Sequence, residues 1–205
     1  MKLLSTFAAA ALCAFATCAQ ATPNIYGQPG TQNAQLYNFT AASTGDLMAY
    51  FVGSTAAYTN VITLQVNGVA SNIMGLNNKT SSYGSSLDFG TVHAGDSLVF
   101  ELVTLAGATG VGPWYSQKSL NSDGVNHVYS TSYAGDSVIG KGTFVAFEDL
   151  PKGGDFNYND ESFVFTNVAS NVPASNNVPE PGSLALLGLG IVGVAASRRK
   201  GKKAA

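Results

Sequence analysis

Val61-Ile62-Thr63-Leu64-Gln65-Val66-Asn67-Gly68 alternates apolar and polar residues and then breaks on Asn-Gly. Ile62, Leu64 and Val66 fall on one side of an extended chain, the period-two pattern of a half-buried strand. Asn-Gly accepts the two positive φ values of a type I′ turn, so the segment reads as one arm of a β-hairpin.

Working outward, further apolar runs have strand length and turn punctuation. Residues 47–52 are apolar on both faces, as a central sandwich strand would be. Residues 87–92 and 97–105 flank the turn Ala94-Gly95-Asp96, with Leu98, Phe100 and Leu102 facing one way. Residues 143–147 and 162–168 flank an acidic loop, and shorter strands are expected at 36–39 and 128–131. Residues 106–126 read as an excursion. No window sustains a 3.6-residue apolar period, so the expected fold is all-β, an antiparallel β-sandwich or jelly roll of about eight strands.

Of the 205 residues only 11% are charged, against roughly 25% in an ordinary soluble domain. The ends account for part of this. Lys2, an apolar run over 3–15 and Ala19-Gln20-Ala21 form the charged start, apolar stretch and small-x-small site of a secretory signal peptide over 1–21. Cys13 and Cys18, the two cysteines of the chain, lie inside it, so disulfides and thiol catalysis are not expected in the mature protein. Residues 22–178 carry four lysines, no arginine and eleven acidic residues, a net charge of −7. Such a surface cannot neutralise phosphates, which excludes nucleic-acid binding. The expected organisation is a β-domain over 22–168, a linker over 169–178 and a distinct C-terminal segment over 179–205.

That segment reads Pro179-Glu180-Pro181-Gly182-Ser183, then an almost wholly apolar stretch to Ala196, then Arg198-Arg199-Lys200-Gly201-Lys202-Lys203. As a helix, 182–197 would span roughly 24 Å, a little short of a ~30 Å hydrocarbon core. A marginal transmembrane helix with a basic stop suits a temporary anchor whose basic end stays cytoplasmic. Pro179, Glu180, Pro181, the short Gly- and Leu-rich helix and the cluster led by Arg198 and Arg199 resemble the PEP-CTERM sorting signal. The resemblance implies recognition by an exosortase, a membrane cysteine protease of Gram-negative bacteria that make exopolysaccharide. It also implies export through the inner membrane, transient residence there, and release to the cell surface or beyond.

The chemistry-bearing window is Phe147-Glu148-Asp149-Leu150-Pro151-Lys152-Gly153-Gly154-Asp155-Phe156-Asn157-Tyr158-Asn159-Asp160-Glu161-Ser162-Phe163, which holds five of the eleven acidic residues of 22–178. Asp155, Asn157 and Asn159 alternate, so their oxygens can converge in a loop, and an all-oxygen set suits Ca2+. The same residues can instead make Asx-turns in a tight connection. The window is not an EF-hand, because Asp160 stands at loop position 6 in place of Gly and Thr166 at position 12 in place of Glu.

This window resembles the domain of unknown function 4114, with Phe147 to Pro151, Gly153 to Asp155, Tyr158 to Asp160 and Phe163 to Phe165 matching its signature. Trp114-Tyr115-Ser116 and Asn121-x-Asp123-Gly124-x-x-His127 match its upstream element. The resemblance covers about 85–168 and implies a secreted or surface protein without established catalytic activity. With it, the expected calcium ligands are Asp149, Asp155, Asn157, Asn159 and Asp160, with Asp123 contributing from the excursion. Asn157 departs from the family pattern, which commonly has a second Asp there.

His93 and His127 are expected to be hydrogen-bonding groups. Gly95-Asp96-Ser97-Leu98 spells the nucleophile motif of the GDSL hydrolases but sits mid-domain between strands, and Asp123 and His127 have the wrong spacing to complete it. The expected function is a non-catalytic, calcium-stabilised surface or matrix protein. The alternative is a calcium-dependent module for extracellular polysaccharide, with Trp114, Tyr115 and Tyr133 as stacking faces unless these aromatics are packing groups.

Overall fold

The computed structural model of the protein describes residues 26–106 and 111–171. The expected signal peptide, transmembrane helix and basic tail lie outside these residues.

The chain folds into two antiparallel sheets. Strands β1 (Phe39–Ala41), β3 (Thr59–Val66), β4 (Val69–Gly75), β6 (Ser97–Ala106) and β11 (Val168–Ser170) form the first, in the order β11-β1-β6-β3-β4. The short β7 (Trp114–Tyr115) pairs with β6 beyond β1, so β1 and β7 share one edge of β6 while β3 runs along the other. Strands β2 (Gly45–Gly53), β5 (Ser86–Val92), β8 (Val128–Tyr133), β9 (Gly142–Phe147) and β10 (Glu161–Phe165) form the second, ordered β5-β2-β10-β9-β8. The sheets pack face to face. Phe100 of β6 stacks on Phe165 of β10 with ring centroids 3.8 Å apart, inside a core that also buries Leu47, Phe51, Ile62, Leu64, Leu102, Phe147 and Phe163.

A second cluster of Tyr26, Tyr133, Ile139, Phe144, Ala146, Tyr158 and Val164 covers the outer face of the second sheet. Consequently β9 and β10 are buried on both faces. Strand β2 behaves as its apolar sequence requires: Leu47, Ala49 and Phe51 enter the inter-sheet core, while Tyr50 and Val52 pack under the outer cluster.

The Asn67-Gly68 turn joins β3 to β4, with φ of 52° and 78° at its two residues. Asn67 also holds the start of β6, accepting from the Ser97 N–H at 2.9 Å and donating to Asp96 at 2.8 Å.

Three expectations change. Ala94-Gly95-Asp96 joins β5 to β6, which lie in different sheets, so it is a corner between sheets. The apolar run expected as one strand over 162–168 breaks after Phe165. Asn167, at φ 59°, bonds Ser43 and Gly45 across the molecule and turns the chain onto the other sheet. There β11 pairs with β1, extending to Ser170 into the stretch expected as linker. The first strand lies at Phe39–Ala41, displaced from 36–39, because Ala41 is held by the Asp96 carbonyl. Within the excursion, β7 is followed by one turn of 3-10 helix over Lys118–Leu120.

Candidate functional site

The acidic window is the connection from β9 to β10. Phe147 and Glu161 are paired across the two strands, so residues 148–160 form a closed loop at one end of the sandwich. Its tight path explains Gly153-Gly154. A Cβ on Gly153 would fall 2.1 Å from the Phe156 ring, and one on Gly154 would fall 3.0 Å from Glu148 Oε2. Lys152, Phe156 and Tyr158 also take positive φ, a conformation uncommon for residues other than glycine.

The expected ligand run is occupied by local bonds. Asp155 Oδ1 accepts from the Asn157 N–H at 3.3 Å and its Oδ2 from the Asn157 side-chain amide at 2.7 Å. Asn157 Oδ1 accepts from the Asn159 N–H at 3.0 Å, and Asn159 Oδ1 takes the Thr55 hydroxyl at 2.5 Å. These are consecutive Asx-turns. Asp149 and Asp160 lie deeper and are linked: the Asp149 N–H donates to Asp160 Oδ2 at 2.9 Å, while Asp149 Oδ2 accepts from Asn60 Nδ2 at 2.8 Å.

Sequence reasoning missed the two innermost acids, Glu148 and Glu161, each 0% exposed. Glu148 Oε1 accepts from the Tyr158 N–H at 2.5 Å, but its Oε2 has no partner among the described residues. Neither oxygen of Glu161 has one, nor does Oδ1 of the fully buried Asn60. The available signal was strand phase. Glu161 opposes Phe147, which faces the inter-sheet core, and Asn60 precedes Ile62 and Leu64 at period two, so both point inward.

Burial is the main cause that pushes the Glu161 carboxyl up, to about 9, with the Asp149 charge adding and Lys79 opposing. Glu148 is raised by burial and by the charges of Asp160 and Asp155. Asp160 is raised by burial, reinforced by Asp149. Among the described residues the basic–acidic side-chain contacts are His93 with Asp96 and His127 with Asp123, so none of the five window acids has a lysine or histidine side chain in contact. Lys79, whose charge acts on Glu161, gives its ammonium to the Ala56 carbonyl at 2.6 Å.

The excursion buttresses the loop. Trp114 Nε1 donates to the Asp149 carbonyl at 2.7 Å, and His127 Nδ1 bonds the Glu148 carbonyl at 2.9 Å. A ring nitrogen facing a carbonyl must donate, which assigns the Nδ1 proton. His127 Nε2 lies 3.0 Å from Asp123 Oδ2, which also accepts from the Lys152 N–H at 2.7 Å. Asp123 is thus a strut of the loop and its carboxylate is already engaged.

Of the expected sugar-stacking faces, those of Trp114 and Tyr133 are corrected. Trp114 is 3% exposed and its ring lies against His127, so no face is open to a glycan. Tyr115 is half-buried beside β6, and Tyr133 is buried with its hydroxyl on Asp136. Trp114 and Tyr133 pack the fold.

Among the described residues no group of three or more histidine, cysteine, aspartate or glutamate side chains stands ready to hold a metal ion. A cation here would need neutral oxygens as well as carboxylates. Within the window, Glu148 Oε2 and both Glu161 oxygens have no partner among the described residues, whereas each Asp155 oxygen and Asn157 Oδ1 accepts a local hydrogen bond.

The profile of the PEP-CTERM protein-sorting motif matches residues 177–200, and that of the domain of unknown function DUF4114 matches residues 59–167. The latter begins at β3, so it takes in Asn60 as well as the excursion and the acidic loop. No curated protein and no solved structure matches the chain. A match of that extent, carried by the excursion and loop just described, makes the chain a member of the DUF4114 family that bears a PEP-CTERM sorting motif for exosortase-directed export.

Proposed function

We propose that the protein is a non-catalytic component of the cell surface or extracellular matrix whose β-sandwich is stabilised by calcium after export. The carrying observation is the closed β9–β10 connection, whose two ends bury Glu148 and Glu161 with oxygens that, among the described residues, have no hydrogen-bond partner and no cationic side chain in contact. Buried carboxylates without partners are costly, and a bound cation offsets that cost where protonation otherwise would. Outside the cell calcium is available at the concentrations that extracellular sites of modest affinity use. The sorting motif makes exosortase the processing partner, after which the released domain acts by its surface and its rigidity.

Titration calorimetry of calcium into the exported protein tests the reading. Saturable heat with about one ion per chain supports it. Equal, featureless dilution heats in calcium and in magnesium would refute the calcium part while leaving the sorting reading intact.

A further inference from the structure

We infer that residues 26–32 form a latch closed by the acidic loop, with Tyr158 as its bolt, and that latch and loop open and close as one unit while the two sheets stay folded. The latch stands whether or not a cation binds.

The chain from Tyr26 to Asn38 runs to β1 without strand or helix. Its inner end is fixed. Tyr37 is buried in the inter-sheet core and stacks on Phe39 with ring centroids 5.9 Å apart. Asn33 is the pivot: its side-chain amide donates to the Tyr37 hydroxyl at 2.6 Å and to the Val128 carbonyl at 3.1 Å, and its carbonyl accepts from Asn126 Nδ2 at 3.0 Å. Before Asn33 the hold passes to the acidic loop. The Gly30 N–H donates to the Asp155 carbonyl at 3.0 Å, and the ring of Tyr26 lies edge-on to that of Tyr158 at 4.8 Å and tilted against Tyr129 at 5.3 Å.

Tyr158 joins the two segments. Its hydroxyl accepts from the Asn33 N–H at 2.9 Å and donates to the Asn126 carbonyl at 3.0 Å, while its own N–H donates to Glu148 Oε1 at 2.5 Å. One residue therefore ties the pivot, the end of the excursion and the buried acid at the root of the loop. The loop is the part most ready to open, because Lys152, Phe156 and Tyr158 hold positive φ, a conformation that costs residues other than glycine. If it opens, Gly30 loses its acceptor and Tyr26 its neighbour. If the latch opens first, the ring of Tyr158, 2% exposed when covered, meets water. Each opening thus makes the other easier, as coupling between two segments requires. Opening bares the tyrosines of the outer cluster, while the inter-sheet core around Phe100 and Phe165 is untouched.

Native-state hydrogen exchange of the exported protein, in chelator and in urea below the unfolding transition, tests the latch. The amides of Gly30, Asn33 and Tyr158 should exchange through one opening, with a shared urea dependence, and about tenfold or more faster than amides of β3 and β6. Tyr158→Phe keeps the ring and removes both hydroxyl bonds. Gly30 is the telling amide, because it bonds Asp155 and not that hydroxyl; its exchange should quicken by about tenfold, the loss expected for a buried hydrogen bond, with β3 and β6 unchanged within about threefold. Tyr26→Ala, made in the latch, should in turn quicken the Tyr158 amide. Separate urea dependences for Gly30 and Tyr158 in the wild type would overturn the latch, however any variant folds. So would a Gly30 amide unmoved in Tyr158→Phe, or one that quickens together with β3 and β6, which would make the hydroxyl a prop of the whole fold.

Discussion

The indole of Trp114 lies flat on the imidazole of His127, with ring centroids 3.9 Å apart and planes 8° from parallel. Each ring spends a nitrogen on one of two successive carbonyls, Glu148 and Asp149, where β9 gives way to the acidic loop. The excursion between β6 and β8 thereby fixes the root of the loop. Trp114→Phe keeps an aromatic on His127 but leaves the buried Asp149 carbonyl without its donor. The loss should be about 1–3 kcal/mol, read as a lower urea midpoint.

Stability without calcium should fall as pH rises. Burial holds the Glu161 carboxyl at about 9, against an ordinary value of 4.5. Between those values the folded chain keeps a proton that the unfolded chain releases, so folding is favoured at the acidic end and the advantage is lost as pH climbs. In chelator, the melting temperature should therefore decline from pH 5.5 to pH 8.5. A melting temperature that rises over that range would contradict the assignment.

Gly142 begins β9 where the backbone of β10 passes close. A Cβ there would sit 2.5 Å from the Phe165 carbonyl oxygen and 2.8 Å from a Val164 methyl. Since backbone cannot yield as a side-chain tip does, Gly142→Ala should cost about 1–3 kcal/mol. Gly95→Ala makes a useful contrast, because its Cβ would meet nothing within 4 Å and only its φ of 88° opposes the change. Denaturant melts of the pair should show Gly142→Ala as the weaker protein.

These positions show what the sequence could and could not convey. Strand β3 and its Asn67-Gly68 turn were legible because alternation and turn chemistry are local. The break between β10 and β11 was not, since Thr166-Asn167 interrupts the apolar run only through bonds to Ser43 and Gly45, more than a hundred residues earlier. The acidic window announced itself by composition, but spacing drew attention to Asp155, Asn157 and Asn159, whose oxygens accept local N–H and O–H donors. Glu161 was overlooked because an acid beside a loop ordinarily reads as solvated, although its phase with Phe163 and Phe165 already aimed it at the core.

Processing at the sorting motif gives a further test. Intact-mass analysis of the surface-released protein should find the residues after about Pro181 missing, together with the basic cluster at Arg198-Arg199. Full-length protein still carrying Lys203, recovered from cells with a working sorting peptidase, would contradict removal.

The most direct test of the account is the melting temperature of the exported protein in millimolar calcium against the same protein in chelator. A ligand bound only by the folded state stabilises it by about 2.7 kcal/mol at one hundred times its dissociation constant, so the calcium sample should melt several degrees higher, with magnesium substituting poorly. Superimposable melting curves in calcium and in chelator would contradict a calcium-stabilised sandwich.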